Sequence, residues 1–328
     1  MKLKLSFLCI AFYISISSLA QNARTQNVIF DSDMGPDYDD VGAIALLHAY
    51  ADSGYLQILA TVASTRYEGV AGVFSVLNTY FKRPDLPIGV VSPNGLDIRD
   101  WQHWSDSLLA RYPHSVRSNK DVPDAVTIYR KVLSAQPDHS VVIITTGFFT
   151  NIANLLRSGA DLYSSLNGGQ LIQQKVKMMI SMAGGFPSGY EFNIHKDAAS
   201  ARYVLSTLKI PVIYSGFEIG RKIKVGLPLI HDTTITGSPV QDAFRIAIPQ
   251  AREDSAGRMS WDETAVLVTA HGWEPFYTLH KGCIVVEEDG HNSWNDAAGL
   301  QAYLEEKADP SDVRSVIEQG IRHRPMNN

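Results

Sequence analysis

Ser140-Val141-Val142-Ile143-Ile144-Thr145 is an unbroken run of mostly β-branched residues of strand length. A strand with one wet face alternates apolar and polar side chains, so a continuous run marks a strand buried on both faces. Similar runs recur on either side, at residues 27–30, 56–63, 87–91, 176–182 and 212–214. Helical patterns lie between them, at residues 41–50, on a stretch ending at Tyr80, and at residues 122–134. This alternation predicts an α/β fold with a mostly parallel central sheet and helices on both faces. Ligands of such sheets sit outside the carboxyl ends of the strands, so the residues just after each run are where chemistry is expected. Residues 227–254 have weaker periodicity and read as a helical excursion over that end.

The N-terminus is expected to lie outside this fold. Lys2 and Lys4 precede an apolar stretch at residues 5–16, and Ser18-Leu19-Ala20 has the small-x-small pattern of a signal-peptidase site. Residues 1–20 therefore read as a signal peptide cut after Ala20, which predicts a secreted or periplasmic protein. The run is too short for a stable bilayer span, and no later stretch reaches membrane length, so no membrane partner is expected after cleavage. Residues 21–328 show no repeat, low-complexity tract or linker and read as a single domain. They retain one cysteine, Cys283, which excludes an internal disulfide. A formal net charge of −5 argues against nucleic acid as a partner, because tracking phosphates requires a basic stripe.

The acidity is concentrated after the first strand, in Asp31-Ser32-Asp33-Met34-Gly35-Pro36-Asp37-Tyr38-Asp39-Asp40. Five carboxylates crowded there repel one another unless a cation intervenes, and the segment contains no Lys or Arg. Hard oxygen donors favour calcium or magnesium over zinc. Gly35-Pro36 supplies a turn that can fold the acids back around one point. A solvated acidic loop is the simplest competing reading. An EF-hand fails, since the twelfth position from Asp31 is Gly42 where a bidentate Glu is needed. A strand-then-DxD phosphatase fits less well, because Gly35 stands where that motif wants Thr or Val.

The same segment, Phe30-Asp31-Ser32-Asp33-x-Gly35…Asp39-Asp40-Val41-x-Ala43, resembles the N-terminal signature of the inosine-uridine-preferring nucleoside hydrolases. Two extra residues stand before the Asp pair, a variant associated with a secreted bacterial subgroup. Three more segments resemble family motifs in order: Gly147-Phe148-Phe149-Thr150-Asn151-Ile152-Ala153, Met182-Ala183-Gly184-Gly185 with Glu191-Phe192-Asn193-Ile194, and Trp261-Asp262-Glu263-Thr264-Ala265.

The resemblance implies a Rossmann-like nucleoside hydrolase fold and calcium-dependent cleavage of ribonucleosides into ribose and base. It implies a calcium ion held by Asp33, Asp40, the Thr150 carbonyl and Asp262. Asp33 becomes the general base on water, with Asp31 supporting the loop from behind. Asp39, Thr65, Glu191 and Asn193 are expected at the ribose, Met182 and Phe192 as walls, and Trp261 against the base. A homo-oligomer is also implied. Two departures bear on the chemistry. Trp261 stands where several members carry a His that can protonate the leaving base, and Thr65 where the family often has Asn. Tyr190, His195 and His103 are candidate replacement donors. The family's HG segment has no counterpart; Asn94-Gly95 and residues 101–104 occupy its place. Two alternatives stay open: a non-catalytic, calcium-stabilised nucleoside- or ribose-binding protein, and a hydrolase of another N-riboside.

Overall fold

The structure, a computed structural model, describes residues 25–92 and 94–325. The expected signal peptide at residues 1–20 lies outside the described residues. The described residues form twelve strands: β1 (Gln26–Ser32), β2 (Leu56–Ala63), β3 (Ile88–Val90), β4 (Val141–Thr145), β5 (Val176–Met182), β6 (Ser188–Tyr190), β7 (Val212–Ser215), β8 (Lys224–Val225), β9 (Arg258–Met259), β10 (Tyr277–Val286), β11 (His291–Asn295) and β12 (Gln301–Glu306). Ten form one sheet in the order β3-β2-β1-β4-β5-β7-β12-β10-β11-β6, and β8 pairs with β9 in a small ribbon. From β3 to β12 the pairing is parallel.

The opening run behaves as its composition requires. Val142 and Ile144 of β4 join one core cluster while Val141 and Ile143 join the other, and β1 divides likewise, with Val28 and Phe30 on one side and Ile29 on the other. Each such side chain contributes about 1.5–3 kcal/mol on burial. Helices therefore cover both faces. Helix Asp39–Asp52 packs on one of them beside helix Trp261–His271.

The chain order 3-2-1-4-5 reverses direction between β1 and β4. This is the switch point at which a doubly wound sheet opens a crevice. The sequence reading did not separate out the antiparallel extension β10-β11-β6. Gly290 forms the β10–β11 hairpin turn in the left-handed conformation. The excursion at residues 227–254 holds helices Leu227–His231 and Pro239–Ala247 and two single 3₁₀ turns. It delivers Glu253, and then Arg258, to the crevice.

Candidate active site

β1 and β4 run side by side with Asp31 opposite Thr145, and the Thr146 N–H donates to the Asp31 carbonyl at 2.8 Å. Past this point the two chains nearly touch. A Cβ on Gly147 would lie 2.3 Å from the Asp33 nitrogen, so only glycine permits the approach. Asp33 and Thr146 are thereby fixed on the wall of a cavity of about 280 Å³.

Two more acids stand at helix starts nearby, Asp262 on the cavity wall and Asp40 buried behind it. Asp40 stands in the first turn of helix Asp39–Asp52, and Asp262 in the first turn of helix Trp261–His271. Amide dipoles at a helix N-terminus favour negative charge there. Their carboxyls lie within hydrogen-bonding reach of each other. Ser32 Oγ and Thr146 Oγ1 donate to Asp40 Oδ1. Asp40 Oδ2 is buried with no partner.

Burial first, and the neighbouring carboxyls second, push Asp33 and Asp262 well above the ordinary carboxylate range. Asp40 is raised to about 7, again by burial and then by Asp39. A hard cation suits this donor set, since it would satisfy the orphaned oxygen and cancel the mutual repulsion. Among the described residues no three His, Cys, Asp or Glu side chains are already gathered as a metal cage. Asp31 is held behind Asp33, Asp40 and Asp262, accepting from Tyr129 Oη at 2.7 Å and from Asn151 Nδ2 at 3.1 Å, and is raised by burial to about 7.

The countercharge missing from the local sequence comes from Arg258. Its Nε and Nη2 donate to Asp39 Oδ1 at 3.0 and 2.7 Å, and Nη2 also pairs with Asp37. Asp39 Oδ2 takes the N–H groups of Trp261 and Asp262 at 3.2 and 3.3 Å. An ionised carboxyl offers about four acceptor sites, and Asp39 has filled four. Asp39 therefore pins helix Trp261–His271 to the loop and has no acceptor site free for a sugar hydroxyl. Asp37, in the two-residue insertion, has a side chain 40% exposed and faces the cavity more freely.

On the opposite wall Glu191 caps the short helix Phe192–Lys196. It accepts from the amides of Asn193, Ile194 and Gly184, which leaves one acceptor position open. Asn193 Nδ2 donates to the Met182 carbonyl at 3.2 Å and the Thr146 carbonyl at 3.4 Å. Met182, Phe192, Phe217, Met259 and Trp261 complete the lining. Trp261 stacks on Phe217 at 5.3 Å, and its Nε1 donates to the Phe217 carbonyl at 2.8 Å.

Residues 28–313 match the family described as inosine-uridine preferring nucleoside hydrolase. The chain belongs to that family. It is 33% identical over 224 residues to the pyrimidine-specific ribonucleoside hydrolase RihA of Salmonella enteritidis, an alignment spanning 65% of this chain and 67% of the relative. Its fold is shared with the purine-preferring ribonucleoside hydrolase of Gardnerella vaginalis (TM-score 0.71, 17% identity, 90% of this chain and 98% of the other). The inosine-uridine preferring nucleoside hydrolase of Bacillus anthracis shares it too (TM-score 0.68, 12% identity, 91% and 99%).

Against the nucleoside hydrolase pattern, two expected positions move. Thr150 opens helix Thr150–Arg157, and its hydroxyl donates to Asp197 at 2.7 Å. A carbonyl in the first helical turn points along the axis toward the i+4 amide, so it is spent there. The cavity threonine is instead Thr146, four residues earlier at the strand end. Thr65 is fully buried and absent from the lining; its hydroxyl donates to the Leu96 and Ile98 carbonyls and holds that loop.

The candidate proton donors also fall outside the cavity lining. Tyr190 Oη donates to Asp289 and His195 Nδ1 meets the Asp289 carbonyl, both beside the β10–β11 turn, while His103 pairs with Asp106. Sequence reasoning overlooked Asp37, Thr146, Phe217, Glu253, Arg258 and Met259 as lining residues. Asp37 was within the quoted acidic run, and Thr146 and Phe217 lie just after strand runs, where chemistry was expected; Glu253, Arg258 and Met259 carry no local signal.

Proposed function

We propose that this protein hydrolyses the N-glycosidic bond of ribonucleosides to ribose and free base, in a reaction that depends on calcium. The observation carrying this reading is that Asp33 and Asp262, from distant segments, share one cavity wall at the β1/β4 switch point, with Asp40 buried beside them. Asp33, Asp40, Asp262 and the main-chain carbonyl of Thr146 would hold the ion. A calcium ion there supplies Lewis-acid polarisation of oxygen and neutralises the acids.

The chain's own residues carry the remaining roles. Asp33 takes the proton of the attacking water as its oxygen bonds to the anomeric carbon. Glu191, through its open acceptor site, and Asn193 orient the ribose hydroxyls, and Asp37 adds a further acceptor. The acidic walls stabilise the oxocarbenium-like sugar that develops as the base departs. Met182 and Phe192 exclude water from the sugar's apolar edge. Export by the leader at residues 1–20 belongs to the same reading and rests on its charged and apolar pattern; sequencing the N-terminus of the exported protein checks it.

The test is release of reducing sugar from a panel of ribonucleosides, before and after chelation and on adding back calcium, magnesium or zinc. Turnover that calcium restores best is expected. Binding of nucleosides without turnover of any of them would favour a calcium-stabilised nucleoside-binding protein instead. That second reading is favoured by one observation, the lack of a His, Tyr, Lys or Cys among the described residues lining the cavity.

A further inference from the structure

Ser260-Trp261-Asp262-Glu263 has the spacing of a capping box, in which the glutamate reaches back to the amide that opens its helix. Here it does not. The Ser260 N–H donates to the Ile223 carbonyl at 2.8 Å, and the Ser260 hydroxyl and both Glu263 carboxyl oxygens are buried without a partner. Glu263 is fully buried and meets helix Asp39–Asp52 instead, where its Oε1 fills the notch left by the missing side chain of Gly42. The Phe244 ring borders the same notch. Buried carboxyl oxygens without partners are destabilising, so stability alone does not account for a glutamate at this position.

The place of this contact ties it to the acids. Gly42 lies two residues after Asp40, and Glu263 directly follows Asp262. Asp39, the first residue of helix Asp39–Asp52, takes the N–H groups of Trp261 and Asp262 and so tethers the two helix starts. About one turn further along, Glu263 props the helices apart at Gly42. Asp40 stands between tether and prop. Thr264, the next residue, meets Ser215 Oγ at the end of β7 at 2.6 Å, which holds helix Trp261–His271 against the sheet. The separation of two packed helices follows the side chains at their contact. The bare Cα of Gly42 lets these helices approach, and the Glu263 carboxyl stops them.

Resting on the calcium-dependent reading above, we propose that Glu263 is a positioning residue for the ion site: its carboxyl, seated against Gly42, is a spacer that sets how far the Asp40 carboxyl stands from that of Asp262. Those two carboxyls lie within hydrogen-bonding reach of each other. Calcium binds oxygen at about 2.3–2.6 Å, so an ion shared by both tolerates little change in their separation. Without the spacer the helices settle closer, and the pair offers the ion a different spacing. The carboxyl acts through its bulk, since neither of its oxygens has a hydrogen-bond partner. A neutral side chain of the same shape therefore serves equally.

The experiment is calcium binding by titration calorimetry on the full chain and its variants, with each shown by circular dichroism to be folded at the working temperature. Glu263→Ala should weaken calcium about tenfold or more, the effect usual for groups that support metal ligands from behind. Glu263→Gln keeps the length and shape and should stay within about threefold of the wild type, well short of a tenfold change. In the Glu263→Ala background, Gly42→Ala returns a methyl to the notch and should recover part of the lost affinity. If Glu263→Ala does not fold, Gly42→Ala alone tests the spacer from the other helix, and calcium should weaken about tenfold as the methyl displaces the carboxyl. Wild-type affinity in whichever of these two variants is folded would overturn the spacer and leave the calcium-dependent reading intact. So would a loss in Glu263→Gln as large as that in Glu263→Ala. A wild-type protein that takes up no calcium would overturn both.

Discussion

The carboxyls of Asp40 and Asp262 lie within hydrogen-bonding reach although the residues belong to helices at opposite ends of the sequence. Two acids sharing a buried space cannot both ionise cheaply unless a cation joins them.

Stability without a divalent ion should therefore fall as pH rises. Burial raises Asp31 and Asp40 to about 7, and burial with the neighbouring carboxyls raises Asp33 and Asp262 well above the ordinary range, against about 3.9 in an unfolded chain. Between these values the folded state binds more protons than the unfolded one, so the slope of unfolding free energy with pH is negative. Each fully differing carboxyl contributes about 1.4 kcal/mol per pH unit. Melting in chelator should drop from pH 5 to pH 8, and saturating calcium should offset the loss. A chelated protein that gains stability over that range would mean the acids are already compensated.

Arg258 and Asp39 make a buried pair whose partners should fail together. Asp39→Ala leaves a guanidinium without its main acceptor and uncaps helix Trp261–His271, so about 3–5 kcal/mol of stability should be lost. Asp37→Asn removes a partly exposed contact and should cost under about 1 kcal/mol, while raising KM. Urea unfolding and steady-state kinetics on both variants separate the roles. Equal destabilisation by the two substitutions would mean that Asp37 shares the structural task.

Thr150 opens the helix just after Thr146, and its hydroxyl should matter for packing and not for the ion. Thr150→Val deletes the hydroxyl that donates to Asp197 and should cost about 1 kcal/mol. Calcium affinity, measured by titration calorimetry, should change less than about twofold, well under the 1.4 kcal/mol of a tenfold effect. A loss of tenfold or more would mean that the contact between Thr150 and Asp197 supports the ion site.

What could be read from the sequence follows from what is local. The β4 run announced two-sided burial because each of its neighbours in sequence lies on one of two apolar faces. The acids from Asp31 to Asp40 were legible for the same reason: five charges in one short segment require an explanation. Arg258 was not legible, since nothing near it in sequence distinguishes it from other arginines and only the fold brings it to Asp39. The choice between Thr146 and Thr150 depends on where the helix begins, a matter of one turn. The β11 and β6 strands are short and largely polar, HNSWN and SGY, and carry too little apolar pattern to be seen as sheet.

Gly42 and Glu263 offer a test of packing beside the site. Glu263 is fully buried with neither carboxyl oxygen partnered, and a Cβ on Gly42 would fall 2.0 Å from its Oε1. Gly42 lies inside helix Asp39–Asp52, where replacing glycine by alanine in open space gains about 0.5–1 kcal/mol. Here Gly42→Ala should instead destabilise, by about 1–3 kcal/mol, because the carboxyl must move within a packed core. Glu263→Ala removes the obstruction and an unpaired buried acid, leaving space for the added methyl. In that background Gly42→Ala should change sign and stabilise. The coupling between the two sites, read from a double-mutant cycle of unfolding free energies, should exceed about 1 kcal/mol. Additive effects would show that Glu263 does not press on the helix, and the requirement for glycine at residue 42 would have to come from Phe244, whose ring is the next nearest neighbour.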